Sequence, residues 1–251
     1  MNLLRGINPV TRLVAIALAT TPLLLSVDIV SAAVALGLTV LLAPLCGVSW
    51  PRLARRSGPL VLATPVAGLS MALYGRPEGA EYFSFLFAHV TDNSLALAAA
   101  IMVRILAVGV PVIVLAADID PTELGDGLAQ VARLPHRFVV ASVAGVRLLS
   151  LFRRDWQSLS RARRSRGVAD VGRVRNFFQM SFALLVLAIR RGSKLATAME
   201  ARGFGGPQQR TWARSSTVSW RDAALLAVSL GIGVAAILVA VWAGTFRFLG
   251  T

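Results

Sequence analysis

The sequence is poor in the residue types on which most catalytic and metal-binding sites depend. It has one cysteine, Cys46, and two histidines, His89 and His136, among 251 residues. A lone cysteine excludes an intramolecular disulfide and a thiolate metal site, and neither histidine has a second ligand at helical i, i+4 spacing. The phosphate-loop pattern G-x-x-x-x-G-K-[ST] and the nucleophile pattern G-x-S-x-G are both absent. We therefore expect no catalytic or metal site in this chain.

Charge is also scarce, and it is strongly biased toward one sign. Charged residues make up 15% of the chain, whereas soluble domains have roughly 25%. The mean hydropathy is +0.69, and 56% of the residues are hydrophobic. The 26 basic and 12 acidic residues give a net charge of +14, and Lys194 is the only lysine. This composition predicts an all-α integral membrane protein with arginine-rich surfaces.

Five apolar runs approach the roughly 20 residues that a spanning helix needs. They cover residues 10–27, 29–48, 60–74, 94–117 and 223–246. If the N-terminus is cytoplasmic, every basic cluster lies on the cytoplasmic side, and the turn at Asp28, the acidic loop 75–93 and the C-terminus lie outside. The predicted organisation is transmembrane helices in 1–117, a cytoplasmic region in 118–219 and a last transmembrane helix in 220–251.

The cytoplasmic region has helix signals of its own. Asp120, Pro121 and Glu123 predict the capped start of a first helix. Two long helices are expected at 137–166 and 171–202, because each run ends at an arginine followed by a glycine. Each holds a shorter apolar stretch, at 138–152 and 177–189. Stretches of this length favour interfacial or tilted helices, although two further spans would preserve the same topology.

Small residues recur at four-residue spacing in the two long helices. They are Ala141 and Gly145 in the first, and Ala188, Gly192 and Ala196 in the second. One interpretation is that the helices cross closely at these faces. The other is that alanine and glycine are simply frequent in this chain.

Arg104 is the one charge deep inside a predicted span, since Arg12 lies at the very start of the first one. A charged residue within the membrane is a functional candidate, because burying it in the hydrocarbon is costly. Its position in the outer half of the span also suits snorkelling of the side chain to the interface. Both interpretations stay open at the level of sequence.

The region 121–219 contains seventeen basic residues and five acidic residues. Attraction to anionic lipid accounts for most of these arginines. Arg166 and Arg202 differ, because each stands at a predicted helix end immediately before a glycine. An arginine in that position can make several charge-assisted hydrogen bonds to a partner.

Four motifs occur in a recognisable order: "NPVTRL" near the start, "DPTELGDGLAQVARLPHRF", "SRARRSRG" and "AMEARGF". Together they resemble the transmembrane T component of energy-coupling factor (ECF) transporters, the EcfT/CbiQ family. The resemblance extends over about residues 8 to 246. It implies about five transmembrane helices plus two or three cytoplasmic coupling helices, two of them long and crossing, in a prokaryotic plasma membrane.

The resemblance also implies two docking sites for ABC-type ATPase subunits, separate or fused, each formed by an Ala-Arg-Gly motif. The second motif is intact as Ala201-Arg202-Gly203, and the first reads Ser165-Arg166-Gly167, with serine in place of alanine. Secondary docking roles are expected for four neighbours, Arg161, Arg163, Arg164 and Glu200. ATP and Mg²⁺ would be bound by the partner ATPases, and no cofactor is expected in this chain.

A small substrate-binding membrane subunit, the S component, is the third partner that the resemblance implies. Candidate contacts are apolar residues of the two long helices, namely Leu148, Leu151, Phe152, Phe178, Phe182 and Leu185. The cargo would be a vitamin, a vitamin precursor or a transition-metal ion such as cobalt or nickel, held by the S component.

Two other functions fit parts of the sequence. A self-contained secondary transporter would usually need inverted repeats, broken helices or intramembrane carboxylates, and the sequence shows no repeat. A basic membrane anchor for acidic partners would need only the arginines. Nucleic-acid binding is not expected, because only Trp156 and Trp212 stand among those arginines.

Overall fold

The computed structural model describes residues 3–26, 28–75, 81–85, 88–167, 172–206 and 211–246, with only the backbone for 81–85 and 88–90. In these residues it contains eight helices and one β-hairpin. In chain order they are α1 (Pro9–Leu24), α2 (Ile29–Leu42), α3 (Trp50–Tyr74), β1 (Glu81–Phe85), β2 (Ala88–Thr91), α4 (Asp92–Leu115), α5 (Pro121–Gln130), α6 (His136–Ser165), α7 (Arg173–Ala201) and α8 (Trp220–Trp242).

The chain forms two compact units. The first, which we call the membrane unit, comprises Met1–Asp120 and Thr217–Thr251 and contains α1 to α4, the hairpin and α8. The second, the arginine-rich unit, comprises Pro121–Ser216 and contains α5, α6 and α7.

All five helices predicted from the apolar runs are present in the membrane unit. Three of them, α3, α4 and α8, are long and apolar enough to cross a bilayer, whereas α1 and α2 are apolar but shorter. In the arginine-rich unit α6 and α7 have 30 and 29 residues, yet neither qualifies as a span. The helical class is confirmed, and the chain is a multi-pass membrane protein.

The ends of the membrane helices differ from the expected ones for local reasons. We expected the second apolar run to reach residue 48, but α2 ends at Leu42, shortly before Pro44. Proline has no backbone N–H to donate to the carbonyl one turn earlier, so the helical hydrogen bonding stops at Pro44, although Ala43 before it keeps helical angles of φ −53° and ψ −41°. The third apolar run begins at residue 60, but α3 already begins at Trp50, because Pro51 fits the first turn of a helix.

The region predicted as an acidic loop contains an antiparallel β-hairpin. β1 pairs with β2 in a register that includes Ser84 opposite His89 and Phe85 opposite Ala88. Thr91, the last residue of β2, also caps α4: its hydroxyl accepts from the Ser94 N–H at 3.3 Å.

Small residues let the membrane helices approach closely. A Cβ added at Gly233 of α8 would lie 2.6 Å from Pro22 Cγ and 3.2 Å from the Leu18 carbonyl oxygen, both in α1. A Cβ at Gly109 of α4 would lie 2.4 Å from a methyl group of Leu60 in α3. The fully buried side chains around these contacts are likewise mostly short, because little space separates the backbones.

Asn8 and Asp222 join the starts of α1 and α8. The Asn8 N–H donates to Asp222 Oδ1 at 2.8 Å, and the Asn8 side-chain amide donates to the Thr217 carbonyl. The other Asp222 oxygen accepts from the Ser219 N–H at 2.7 Å. The Asn8 of the "NPVTRL" motif therefore acts structurally, by capping one helix and anchoring another.

Asp28 caps α2 by accepting hydrogen bonds from the N–H and hydroxyl of Ser31, both at 2.7 Å. Burial by itself raises the pKa of this carboxyl group. The hydrogen bonds from Ser31 and Ser26 together outweigh that effect, so that the pKa lies below its usual value. The predicted tight turn at Asp28 is thus a helix cap.

In the arginine-rich unit the close approach lies between α5 and α6. A Cβ at Gly125 would lie 2.4 Å from Val143 Cγ2, whereas Cβ atoms at Gly145 and Gly192 would meet open space. The interpretation that these two glycines mark a close crossing of the long helices is therefore wrong. Leu148, predicted to contact the S component, lines a cavity of about 340 Å³ here, together with Val139, Val143 and other residues of this unit.

Long polar side chains connect α6 with α7 in antiparallel orientation. Asp155 of α6 accepts two hydrogen bonds from Arg191 of α7, one of them at 2.9 Å. Trp156 and Phe177 add an edge-to-face ring contact with centroids 5.7 Å apart. The two helices are held together at separate points along their length.

Candidate functional site

The two Arg-Gly segments adopt the same backbone conformation at the ends of α6 and α7. We call Ser165-Arg166-Gly167 the first tip and Ala201-Arg202-Gly203 the second tip. The φ and ψ angles are −92° and 4° at Arg166, and −90° and 11° at Arg202. The glycines that follow have positive φ values, +65° and +79°. Left-handed glycine caps are confirmed at both positions.

Hydrogen bonds within each tip explain why the helices end there. In the second tip the Gly203 N–H donates to the Glu200 carbonyl at 2.9 Å, and the Phe204 N–H donates to the Met199 carbonyl at 2.9 Å. This pair of bonds is the Schellman arrangement, which satisfies the last carbonyls of a helix. The first tip makes the equivalent bond from the Gly167 N–H to the Arg164 carbonyl, at 3.0 Å.

The arginine side chains of both tips are exposed and available. Within the described residues neither the Arg166 nor the Arg202 guanidinium group has a hydrogen-bond or ion-pair partner. Gly167 and Gly203 are exposed as well. Because the left-handed glycine stops each helix, each arginine stands at an open helix end rather than along a packed face.

The serine that replaces alanine in the first tip is satisfied within its own helix. The Ser165 hydroxyl donates to the Ala162 carbonyl at 3.0 Å. The substitution therefore leaves the backbone of the first tip unchanged in comparison with the second.

The four secondary docking candidates fall into different environments. Arg163 is half-buried and connects the two long helices, since its Nε donates to Asn176 Oδ1 at 2.6 Å and its terminal nitrogen donates to Gln179 Oε1. Arg161 and Arg164 are exposed and donate to serine hydroxyls of their own helix, at 3.2 and 3.4 Å. Glu200 is exposed. Arg163 therefore has a structural role, and the other three remain available to a partner.

The two tips lie at opposite ends of the antiparallel helix pair. Arg163, next to the first tip, contacts the beginning of α7 through Asn176. Arg137, at the beginning of α6, donates to the Gly205 carbonyl beside the second tip at 2.8 Å. The 29 residues of α7 correspond to about 43 Å at 1.5 Å per residue. Two separate partner surfaces can therefore be engaged at once.

A continuous exposed apolar stripe runs along α7. Val174, Phe178, Phe182, Leu185 and Ile189 recur at three- and four-residue spacing, and their exposed fractions lie between 54% and 69%. Three of the predicted S-component contacts belong to this stripe. Val174 and Ile189 are missing from the predicted contacts, although their four-residue spacing from Phe178 and Leu185 places them on the same helix face.

On α6 the residues predicted to contact the S component are not the most exposed apolar residues of the helix. Leu148 and Phe152 are half-buried, and Leu151 is only 37% exposed. The most exposed apolar side chains of this helix are instead Phe138 and Leu149, at 75% and 64%. Their separation of eleven residues places them on one face.

Arg104 is the remaining candidate from the sequence. It lies in α4, and its Nε and one terminal nitrogen are buried without a hydrogen-bond partner among the described residues. These two nitrogens therefore do not reach an aqueous interface by snorkelling. The described residues contain no cluster of three or more His, Cys, Asp or Glu side chains suited to a metal ion.

Comparison with known proteins identifies what the chain resembles over most of its length. A family profile named CbiQ, described as "Cobalt transport protein", matches residues 1–212. A protein of Brevibacillus brevis named "Energy-coupling factor transporter transmembrane protein EcfT" is 26% identical over 247 residues, which cover 91% of either chain. A protein of the same name from Exiguobacterium sibiricum is 28% identical over 169 residues, 62% of this chain and 64% of its own. The one from Heliobacterium modesticaldum is 31% identical over 136 residues, 49% of this chain and 50% of its own.

Proposed function

Because the chain belongs to the CbiQ family of transport proteins, we propose that it is the coupling subunit of an ECF-type importer. In this role it transmits ATP-driven motion of two cytoplasmic ATPase subunits to a small substrate-binding membrane subunit. It is itself non-catalytic, and the ATPases bind ATP and Mg²⁺. The observation that carries the proposal is the pair of matched, exposed tips at opposite ends of α6 and α7.

Each tip suits one ATPase subunit. The two tips share their backbone conformation, so two identical or closely related partner surfaces can receive them. Each arginine presents a planar group with five N–H donors, which can bind carboxylates or backbone carbonyls in a partner's groove. A distance of about 43 Å along α7 leaves room for two separate subunits.

The exposed apolar stripe of α7 suits the S component. Its large side chains, including Phe178 and Phe182, are unfavourable in water and would be covered by the apolar surface of a membrane subunit. Val139 and Met180 are the only buried residues of α6 and α7, so these helices hold little core of their own. Movement of the tips would then shift the stripe and the subunit bound to it.

The orientation follows from the arginines. With the arginine-rich unit in the cytoplasm, where soluble ATPases are found, the N-terminus is also inside and the C-terminus outside. The cargo is a vitamin, a vitamin precursor or a transition-metal ion, and it is bound by the S component rather than by this chain.

The test is affinity purification of the tagged chain from its own membranes in mild detergent, followed by mass spectrometry. The wild-type chain is expected to bring with it one or two ABC-type ATPases and a small hydrophobic protein. Arg166→Glu and Arg202→Glu should each reduce ATPase recovery at least about tenfold, because a lost charge-assisted hydrogen bond costs roughly 1.5–3 kcal/mol and the new carboxylate adds repulsion.

Arg153→Glu is the matched control, since Arg153 is exposed on α6 away from both tips. It makes the same change of charge and should leave recovery unchanged. The proposal is wrong if the wild-type chain brings no ATPase with it. It is also wrong if the double variant with both Arg166→Glu and Arg202→Glu retains as much ATPase as the wild type does.

A further inference from the structure

The membrane unit contains an apolar groove of about 610 Å³ between α1, α2, α4 and α8. Its α8 wall consists of residues at helical spacing, including Arg221, Leu225, Val228 and Ile232. Ala19 of α1 and Thr39 of α2 also line the groove. A groove of this volume is large enough to hold a sizeable ligand.

The groove has few polar groups along its length, and the Thr39 hydroxyl among them already has a hydrogen-bond partner. The Thr39 hydroxyl donates to the Ala35 carbonyl of its own helix at 2.7 Å, and the rest of the lining is mainly leucine, isoleucine, valine and alanine. A polar cargo molecule would therefore lose its hydrogen bonds to water without replacement. An aliphatic chain suits the surface.

A free positive charge stands at one end of the groove. Arg221 is exposed and lies over the Trp220 ring, with its guanidinium carbon 5.9 Å from the ring centroid. Trp220 is 76% exposed, as expected of a tryptophan in the interfacial aromatic belt. The neighbouring Asp222 does not neutralise Arg221 through an ion pair, because its oxygens bind Asn8 and Ser219.

The length of the groove matches one leaflet of the bilayer. From Arg221 to Ile232 α8 rises by about 16 Å, at 1.5 Å per residue. The hydrocarbon core is about 30 Å thick, so the groove extends from the interface to near the midplane. A partner's transmembrane helix would need a surface along the full thickness, whereas a single acyl chain needs only half of it.

We propose that this groove binds one anionic phospholipid, with an acyl chain along α8 and the phosphate at Arg221. In the orientation proposed above the lipid belongs to the cytoplasmic leaflet, whose anionic lipids are attracted to basic sites between transmembrane helices. The bound lipid fills the space between α8 and the other helices of the membrane unit.

The experiment uses the full-length chain, delipidated in mild detergent and incubated with equal amounts of dioleoyl phosphatidylglycerol and dioleoyl phosphatidylcholine. Native mass spectrometry then counts the lipids retained. The wild type is expected to retain one phosphatidylglycerol, and Arg221→Gln should reduce this occupancy about tenfold because the contact with the phosphate is lost. Ala224→Phe, at an exposed position in the groove, should reduce retention of both lipids by filling the space.

Arg52→Gln is the matched control. Arg52 is exposed in the first turn of α3 and does not line the groove, so this variant should bind lipid as the wild type does. Equal retention of the two lipids by the wild type, or unchanged phosphatidylglycerol in Arg221→Gln, would overturn the proposal. So would a photo-cross-linker at Val228 that captures a protein instead of lipid in native membranes.

Discussion

The membrane unit buries short side chains, whereas the arginine-rich unit leaves large ones exposed. In the first, fully buried positions include Ala15, Ala32 and Ala236, and glycines allow the helix backbones to meet. In the second, α6 and α7 each have a single buried residue, while Phe138 and Phe182 are more than two thirds exposed. The comparison indicates that the membrane unit completes its own packing, and that the long helices of the other unit need partners.

Polar contacts differ between the units in the same way. Asp222 in the membrane unit is fully buried and serves several donors, while Asp155 in the arginine-rich unit forms one partly exposed ion pair with Arg191. When a buried acceptor is removed, its donors are left without a hydrogen-bond partner. When one member of a partly exposed ion pair is removed, water can take its place.

The largest expected effect tests this difference directly. Asp222→Asn places an amide where both carboxylate oxygens accept hydrogen bonds, so at least one of the Asn8 and Ser219 N–H groups loses its acceptor. We expect a loss of about 2–4 kcal/mol in the free energy of unfolding. Asp155→Asn should cost about 1 kcal/mol or less. Thermal unfolding of both variants in the same detergent measures the difference, and equal losses would contradict the comparison.

A smaller effect is expected from glycine substitutions in the two units. Gly233→Ala forces a methyl group against Pro22 and the Leu18 backbone and should cost about 1–3 kcal/mol. Gly192→Ala in α7 meets open space and should raise the stability of that helix by up to about 1 kcal/mol. Urea or thermal unfolding should therefore show shifts of opposite sign. Destabilisation by Gly192→Ala would mean that α7 packs closely against another helix after all.

The smallest effect concerns the difference between the two tips. Ser165→Ala restores the Ala-Arg-Gly pattern and removes only a hydroxyl group that bonds within its own helix. ATPase recovery in affinity purification should change less than about twofold, because the backbone of the tip stays the same. A large gain would show that the serine weakens the first docking site relative to the second.

Much of the candidate site could be predicted from the sequence, because its chemistry is local. The ends of α6 and α7 depend on Gly167 and Gly203, which adopt left-handed conformations that other residues rarely take. The apolar stripe of α7 follows from helical periodicity, whereas its exposure is a property of the tertiary structure. The environment of Arg163 could not be predicted, since Asn176 and Gln179 belong to a different helix.

The sequence by itself determined the helical class, the apolar runs, the turn at Asp28 and the two glycine-terminated tips. Each of these depends on residues a few positions apart, so backbone geometry and side-chain polarity are sufficient. Only the tertiary structure decided that Asn8 meets Asp222, 214 residues away, that Gly125 rather than Gly145 marks a close approach, and that the tips lie at opposite ends of their helix pair. These contacts depend on how the helices pack, and many pairings of the same amphipathic faces satisfy the local pattern equally well.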